Sequence, residues 1–259
     1  MTVDPVGRAV RPACRFVILT PGRSGSSYTR SCLNSHPNVI CYPELFVRRG
    51  ASAQAEILDA VVDNRLNRLD SKTRSIIRRS IPGLPNRDVN ALGFKVQLQD
   101  LHEPTRLFTQ LEAHDYKMVY LKRKNIVKSV VSKLNQERLL REYGPGNSNI
   151  SDRNRVQKAL HVHPPEFLET LRFRIKLESW HDRFAAAYGA EKRTVFYEDL
   201  LDSPEEYFGP ILELLGVKPL KLSGEYIKHT PDRLSEAIEN YDEIVELARG
   251  TRYAELLSQ

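Results

Sequence analysis

The sequence predicts an α/β protein built on a mostly parallel central sheet flanked by helices. Three observations predict it. Short apolar runs at 14–20, 39–41, 91–96, 118–121 and 194–197 have strand length, and several lack the alternation of half-exposed strands, as expected of strands covered on both faces. Helical or strongly charged stretches separate them, so that strands and helices alternate along the chain. The first two runs are joined by a glycine turn and a helix, the opening of a right-handed βαβ unit. The 259 residues, 41% hydrophobic and 28% charged, suffice for one substantial core and do not read as disordered.

Residues 1–12 are polar and read as a loose start, with one domain expected over 13–259. The first strand, 14–20, runs into a segment rich in Gly and Ser, and a helix is expected from Ser26 to Asn34. His36-Pro37 closes that helix, because a residue before proline avoids helical dihedrals. Residues 51–80 read as a charged helical insertion within about 45–90. Asn125 is placed to cap a helix whose apolar positions Val127, Val130, Val131 and Leu134 share one face. The polar stretch 144–165, inside a lid-like segment of about 135–170, has the length of a binding loop. Residues 167–188 read as helix. Ser203-Pro204-Glu205-Glu206 has the pattern of a capping box with Pro at the first helical position, and Gly216 suits the helix end. Pro210 inside that helix is expected to kink or split it.

The net charge is +6 with a pI near 9.2, which favours anionic ligands without choosing among a nucleotide, an acidic glycan, a nucleic acid or a membrane surface. The three cysteines, Cys14, Cys32 and Cys41, form no CxxC pair and suit a reducing compartment as small buried hydrophobes. No apolar run reaches the roughly 18 residues of a membrane span. With Met1 as the start, the chain reads as cytoplasmic and free of integral membrane segments.

Two segments carry anion chemistry. Thr20-Pro21-Gly22-Arg23-Ser24-Gly25-Ser26-Ser27 follows a strand and opens a helix, a setting that aims backbone N–H groups and the helix dipole at one spot. Ser24, Ser26 and Ser27 add hydroxyls and Arg23 a charged fork. It is not a Walker A loop: only two residues separate Gly22 from Gly25, and no Gly-Lys-Ser/Thr follows. A plain strand-to-helix turn has the same composition. The strand at 118–121 runs into Lys122-Arg123-Lys124-Asn125, where a Mg²⁺-dependent phosphotransferase would carry Asp. That points to a second anionic group on the ligand, with Ser129 or Ser132 joining Arg123; a solvated cationic turn is the bland alternative.

These residues resemble the sulfotransferases that use 3′-phosphoadenosine 5′-phosphosulfate, above all the bacterial and carbohydrate branch with the nodulation-factor and trehalose enzymes. Arg23 to Ser27, then Leu33-Asn34-Ser35-His36-Pro37-Asn38-Val39, resemble the family's 5′-phosphosulfate loop and helix, with Arg23 where cytosolic members have lysine. Leu121-Lys122-Arg123 through Ser132 resemble the 3′-phosphate motif; the Arg–Ser spacing (132 − 123 = 9) selects Ser132 over Ser129. Leu92-Gly93-Phe94-Lys95 resembles the strand that brings a lysine to the sulfuryl group. Phe196-Tyr197-Glu198-Asp199-Leu200 resembles the segment whose tyrosine lies by the adenine, and 240–251 the C-terminal helix.

The resemblance implies a P-loop-NTPase-like three-layer fold. It also implies a donor site of Gly22, Arg23, Ser24, Gly25, Ser26, Ser27, Arg123, Ser132 and Tyr197, and metal-independent transfer to a hydroxyl of a carbohydrate or small metabolite. Arg23 and Lys95 are expected to stabilise the leaving phosphate oxygen. Glu44, after Pro43, is the expected general base; a helix-starting carboxylate is its structural alternative. His36 and His102 are rival bases. Two other classes stay open at this point: a P-loop-like kinase or phosphotransferase, and a non-enzymatic protein binding anionic glycans. No aromatic-interleaved basic stripe points to nucleic acid.

Overall fold

The computed structural model describes residues 12–63, 69–71, 73–75, 88–144, 158–224 and 230–258. The chain divides into two compact units, Met1–Lys122 with His181–Glu225, and Arg123–Trp180 with Tyr226–Gln259.

The first unit holds a five-stranded parallel sheet in the order β2-β3-β1-β4-β5, from β1 (Cys14–Leu19), β2 (Val39–Glu44), β3 (Ala91–Val96), β4 (Tyr116–Lys122) and β5 (Lys192–Phe196). The chain fills one side of β1 with β2 and β3 and then crosses to the other with β4 and β5. The loop after β1 therefore leaves the carboxyl edge where the strand order reverses, the place where open α/β sheets bind ligands. All five strands fall where the apolar runs are. β3 is buried at every position, Lys95 included.

One face of the sheet packs Phe16, Ile18, Cys41 and Val119 with Cys32 and Leu33 of α1 (Ser26–Ser35) and a row of buried residues from α7 (Pro204–Leu215). On the other, Phe94 packs against Phe46 and Tyr116, and the Tyr116 hydroxyl donates to the Val61 carbonyl of α2 (Ala51–Val62). Phe108 of α3 (Pro104–Ala113) packs with Phe184 and Tyr188. Cys14, Cys32 and Cys41 are buried free thiols; burial pushes Cys32 up to about 11 and Cys41 up to about 12, so neither is a thiolate at neutral pH.

The second unit is helical: α4 (Ile126–Tyr143), the part of α5 (Pro164–Ala187) up to Trp180, α8 (Leu234–Ala237), α9 (Tyr241–Ala248) and α10 (Ala254–Leu257). Val127, Val130, Val131 and Leu134 of α4 meet Phe167, Leu171, Leu234 and Ile244 in its core. Asn125 caps α4 as expected, its side chain accepting from the Lys128 N–H.

Three expectations are corrected. Tyr197 does not end β5 but opens α6 (Tyr197–Asp202). Ser203 is the N-cap of α7 and Pro204 its first residue, yet no Ser203 side-chain hydrogen bond caps it; the Ser203 carbonyl accepts the first helical bond, from the Tyr207 N–H. Pro210 does not split α7, which runs unbroken to a left-handed Gly216. Tyr207, Phe208, Ile211, Leu212, Leu214 and Leu215 are all buried, and their burial outweighs the roughly 3 kcal/mol that an internal proline costs. The expected loose start falls outside the described residues, apart from Pro12. So do much of 64–87 and, from the lid-like segment, 145–157. Among the described residues no helix is long and apolar enough to cross a membrane.

Candidate active site

The loop after β1 is a tight, left-handed turn. The Thr20 N–H still pairs with the Val96 carbonyl (3.2 Å), and then Gly22 (φ 76°), Arg23 (φ 59°) and Gly25 (φ 71°) adopt positive φ. Arg23 carries a Cβ, so its conformation costs about 1–2 kcal/mol and is held by its surroundings. The Thr20 hydroxyl supplies part of the hold: it lies 2.5 Å from Ser24 Oγ and accepts the Gly22 N–H at 3.1 Å. Gly25 is the N-cap of α1 and brings no side chain to its open N–H groups. A Cβ on Gly25 would enter the Tyr197 ring, and one on Gly22 would meet Gln97 Oε1. Tyr197 thus lies against the loop.

Glu44 is the last residue of β2. Pro43 lacks the N–H a ladder needs, and the β2–β3 register shifts between Tyr42 and Glu44, which sets Glu44 opposite Lys95. Lys95 Nζ, only 1% exposed, donates to Glu44 Oε1 (2.7 Å), Ser27 Oγ (3.2 Å) and Ser26 Oγ (3.4 Å). All three ammonium donors are thus engaged. The structure brings Glu44, Lys95, Ser26 and Ser27 into one cluster at the start of α1. Burial pushes the Glu44 carboxyl up, but the Lys95 charge and hydrogen bond outweigh it and hold the group below its ordinary value.

The rival bases separate from this cluster in their bonding. His36 is wholly buried; its Nδ1 accepts the Asn38 N–H (3.1 Å), which leaves Nε2 to donate to the Lys218 carbonyl (2.9 Å). Both ring nitrogens serve the fold. The His102 ring is exposed, with Nε2 3.1 Å from the Arg49 carbonyl oxygen.

Sequence reading missed Asp100, which ends the 3₁₀ turn Leu98–Asp100 just beyond β3. Its Oδ2 is buried with no hydrogen-bond partner among the described residues, and burial, then the charge of Glu44, raise its pKa against the opposing pull of Arg48. Gln54 Nε2 fixes the Asp100 carbonyl at 2.6 Å. A carboxylate at the end of a strand, beside a turn rich in Gln, is too common a pattern to single out from sequence.

In the second unit, Arg123 follows β4 directly and is half-buried, while Lys122 of the first unit is tied to Asp182 Oδ1 at 2.6 Å. Ser129 is fully committed: its hydroxyl donates to the Ile126 carbonyl (2.6 Å) and accepts from Arg174 Nε (3.2 Å). Arg174, also missed by the sequence reading, is 6% exposed.

No family model matches the chain. Its sequence is 24% identical to nodulation protein H of Rhizobium meliloti over 261 aligned residues, covering 95% of this chain and 96% of that protein. Among solved structures, a sulfotransferase from Alicyclobacillus acidocaldarius matches at 16% identity and a TM-score of 0.48, with 96% of each chain covered. The mouse sulfotransferase SULT7A1, solved with PAP, matches at 12% identity and a TM-score of 0.43, covering 96% of this chain and 69% of that one. The chain is therefore similar to nodulation protein H over nearly its whole length, and these two solved structures that match it are both sulfotransferases.

Proposed function

We propose that this chain is a sulfotransferase that moves the sulfuryl group of 3′-phosphoadenosine 5′-phosphosulfate onto a hydroxyl of a carbohydrate or small hydroxylated metabolite. The observation that carries the reading is the cluster at the start of α1, where a buried lysine joins the donor-loop serines to a carboxylate. The uncapped helix start and the side-chain-free approach at Gly22 and Gly25 fit a 5′-phosphosulfate. The Tyr197 ring beside Gly25 suits an adenine. Arg123 and Ser132 are assigned to the 3′-phosphate.

In the reaction the acceptor oxygen bonds to sulfur as the bond from sulfur to the bridging phosphate oxygen breaks, and that bond's electron pair stays on the phosphate. Arg23 and Lys95 offset the charge growing there. Glu44, ionised at neutral pH, takes the acceptor proton. Its tie to Lys95 places the proton acceptor and the leaving-group cation side by side.

Cations follow β4 where a phosphotransferase would hold Mg²⁺ through Asp, so transfer is expected to survive saturating EDTA. Incubation with ³⁵S-labelled donor and a panel of free and aryl sugars should give labelled sulfate esters in EDTA. Transfer of the ATP γ-phosphate to the same panel, dependent on Mg²⁺, would return the phosphotransferase reading to first place.

A further inference from the structure

We infer that Arg174, on α5, is a second guanidinium of the 3′-phosphate site and works alongside Arg123. The inference rests on the donor reading above and extends it to a residue that no motif marks. Arg174 sits on the apolar stripe of α5, after Phe167 and Leu171 at helical spacing. An arginine in that line takes a core position, and at 6% exposure its charge is largely stripped of water. Helix packing alone would favour leucine there.

The side chain is held. Its Nε donates to Ser129 Oγ at 3.2 Å, and Ser129 is itself pinned to the first turn of α4 through the Ile126 carbonyl. That turn begins three residues after Arg123. The charges around Arg174 also carry information. Burial, first, brings its pKa down to about 10; Glu178, one turn along α5, opposes this, and the nearby charge of Arg123 adds to it. Two like charges brought together at a partly dry place are the arrangement an anion resolves. The 3′-phosphate is a dianion near neutral pH, so beside Glu178 it lowers the repulsion between the two guanidinium groups further. Ser129 then acts by aiming Arg174, and Ser132 remains the hydroxyl for the phosphate.

The test compares two ligands that differ only in this group, adenosine 3′,5′-bisphosphate and adenosine 5′-monophosphate, by titration calorimetry on the full chain. Arg174→Gln keeps a hydrogen bond to Ser129 within reach and deletes the charge. It should weaken bisphosphate binding about 10–100-fold and leave monophosphate binding nearly unchanged. Arg174→Lys restores a charge without the fork and should recover part of the lost discrimination. If both ligands weaken together in the two variants, or neither weakens, Arg174 is a structural residue and the inference falls. If the wild-type protein itself does not prefer the bisphosphate, the donor reading fails and takes this inference with it.

Discussion

Glu44→Gln should lower sulfuryl transfer about 10²–10⁴-fold, the usual cost of a lost general base. The substitution keeps the shape and still accepts a hydrogen bond from Lys95, but it cannot hold a proton. Bisphosphate affinity should hold or rise, because Lys95 loses its carboxylate and its charge turns wholly to the donor loop. The same change leaves a lysine that is 1% exposed without its counter-charge. Removing one partner of a fully buried pair costs about 3–5 kcal/mol; Glu44 is 25% exposed and Gln keeps a contact, so about 2–3 kcal/mol is expected.

The sign with pH follows from the direction of the Glu44 shift. Its folded pKa lies below its unfolded value, so its stabilisation is complete above the unfolded value of about 4.3 and is lost as pH falls through the folded one. Urea melts of wild type and Glu44→Gln should therefore differ at pH 7 and converge in acid. Turnover within a factor of a few of wild type would make Glu44 the partner of Lys95 alone. A collapse of bisphosphate binding would make it a shaper of the loop.

Gly25→Val should abolish measurable donor binding, a loss of about 100-fold or more. Two separate causes add. A β-branched residue at φ 71° bears the left-handed penalty of about 1–2 kcal/mol or more, and its Cβ would occupy the Tyr197 ring. Relief means moving either the start of α1 or the tyrosine, and both are assigned to the donor. A double-mutant cycle separates the causes. Tyr197→Ala in the Gly25→Ala background removes the clash and leaves the dihedral cost, so it should recover stability without restoring adenine affinity. Additive losses in melting temperature would show that the ring and Gly25 do not meet.

The sheet was legible in the sequence because a strand covered on both faces needs unbroken apolar runs, and Phe16-Val17-Ile18-Leu19 and Met118-Val119-Tyr120-Leu121 supply them. The turn after β1 was legible because local backbone demands concentrate Gly and Ser at one place. The Glu44–Lys95 pair was not. It depends on the register of two strands and on the shift at Pro43, and neither residue's own neighbours report it. Tyr197 reads as strand because Thr194-Val195-Phe196-Tyr197 has β-forming composition throughout; the helix takes over where Glu198 and Asp199 supply its acidic first turn. Arg174 left only a faint trace, a charge on an apolar stripe, and such a charge reads as a tolerated irregularity until its burial is known.

Titration of the wild-type protein with adenosine 3′,5′-bisphosphate, repeated against ATP with and without Mg²⁺, distinguishes a sulfuryl-donor site from a phosphotransferase site. The bisphosphate should bind, ATP should compete poorly whether or not Mg²⁺ is present, and Arg123→Ala should weaken bisphosphate binding by about 1.5–3 kcal/mol. Preferential binding of Mg²⁺–ATP, or a folded Arg123→Ala protein with unchanged bisphosphate affinity, would contradict the sulfuryl-donor reading.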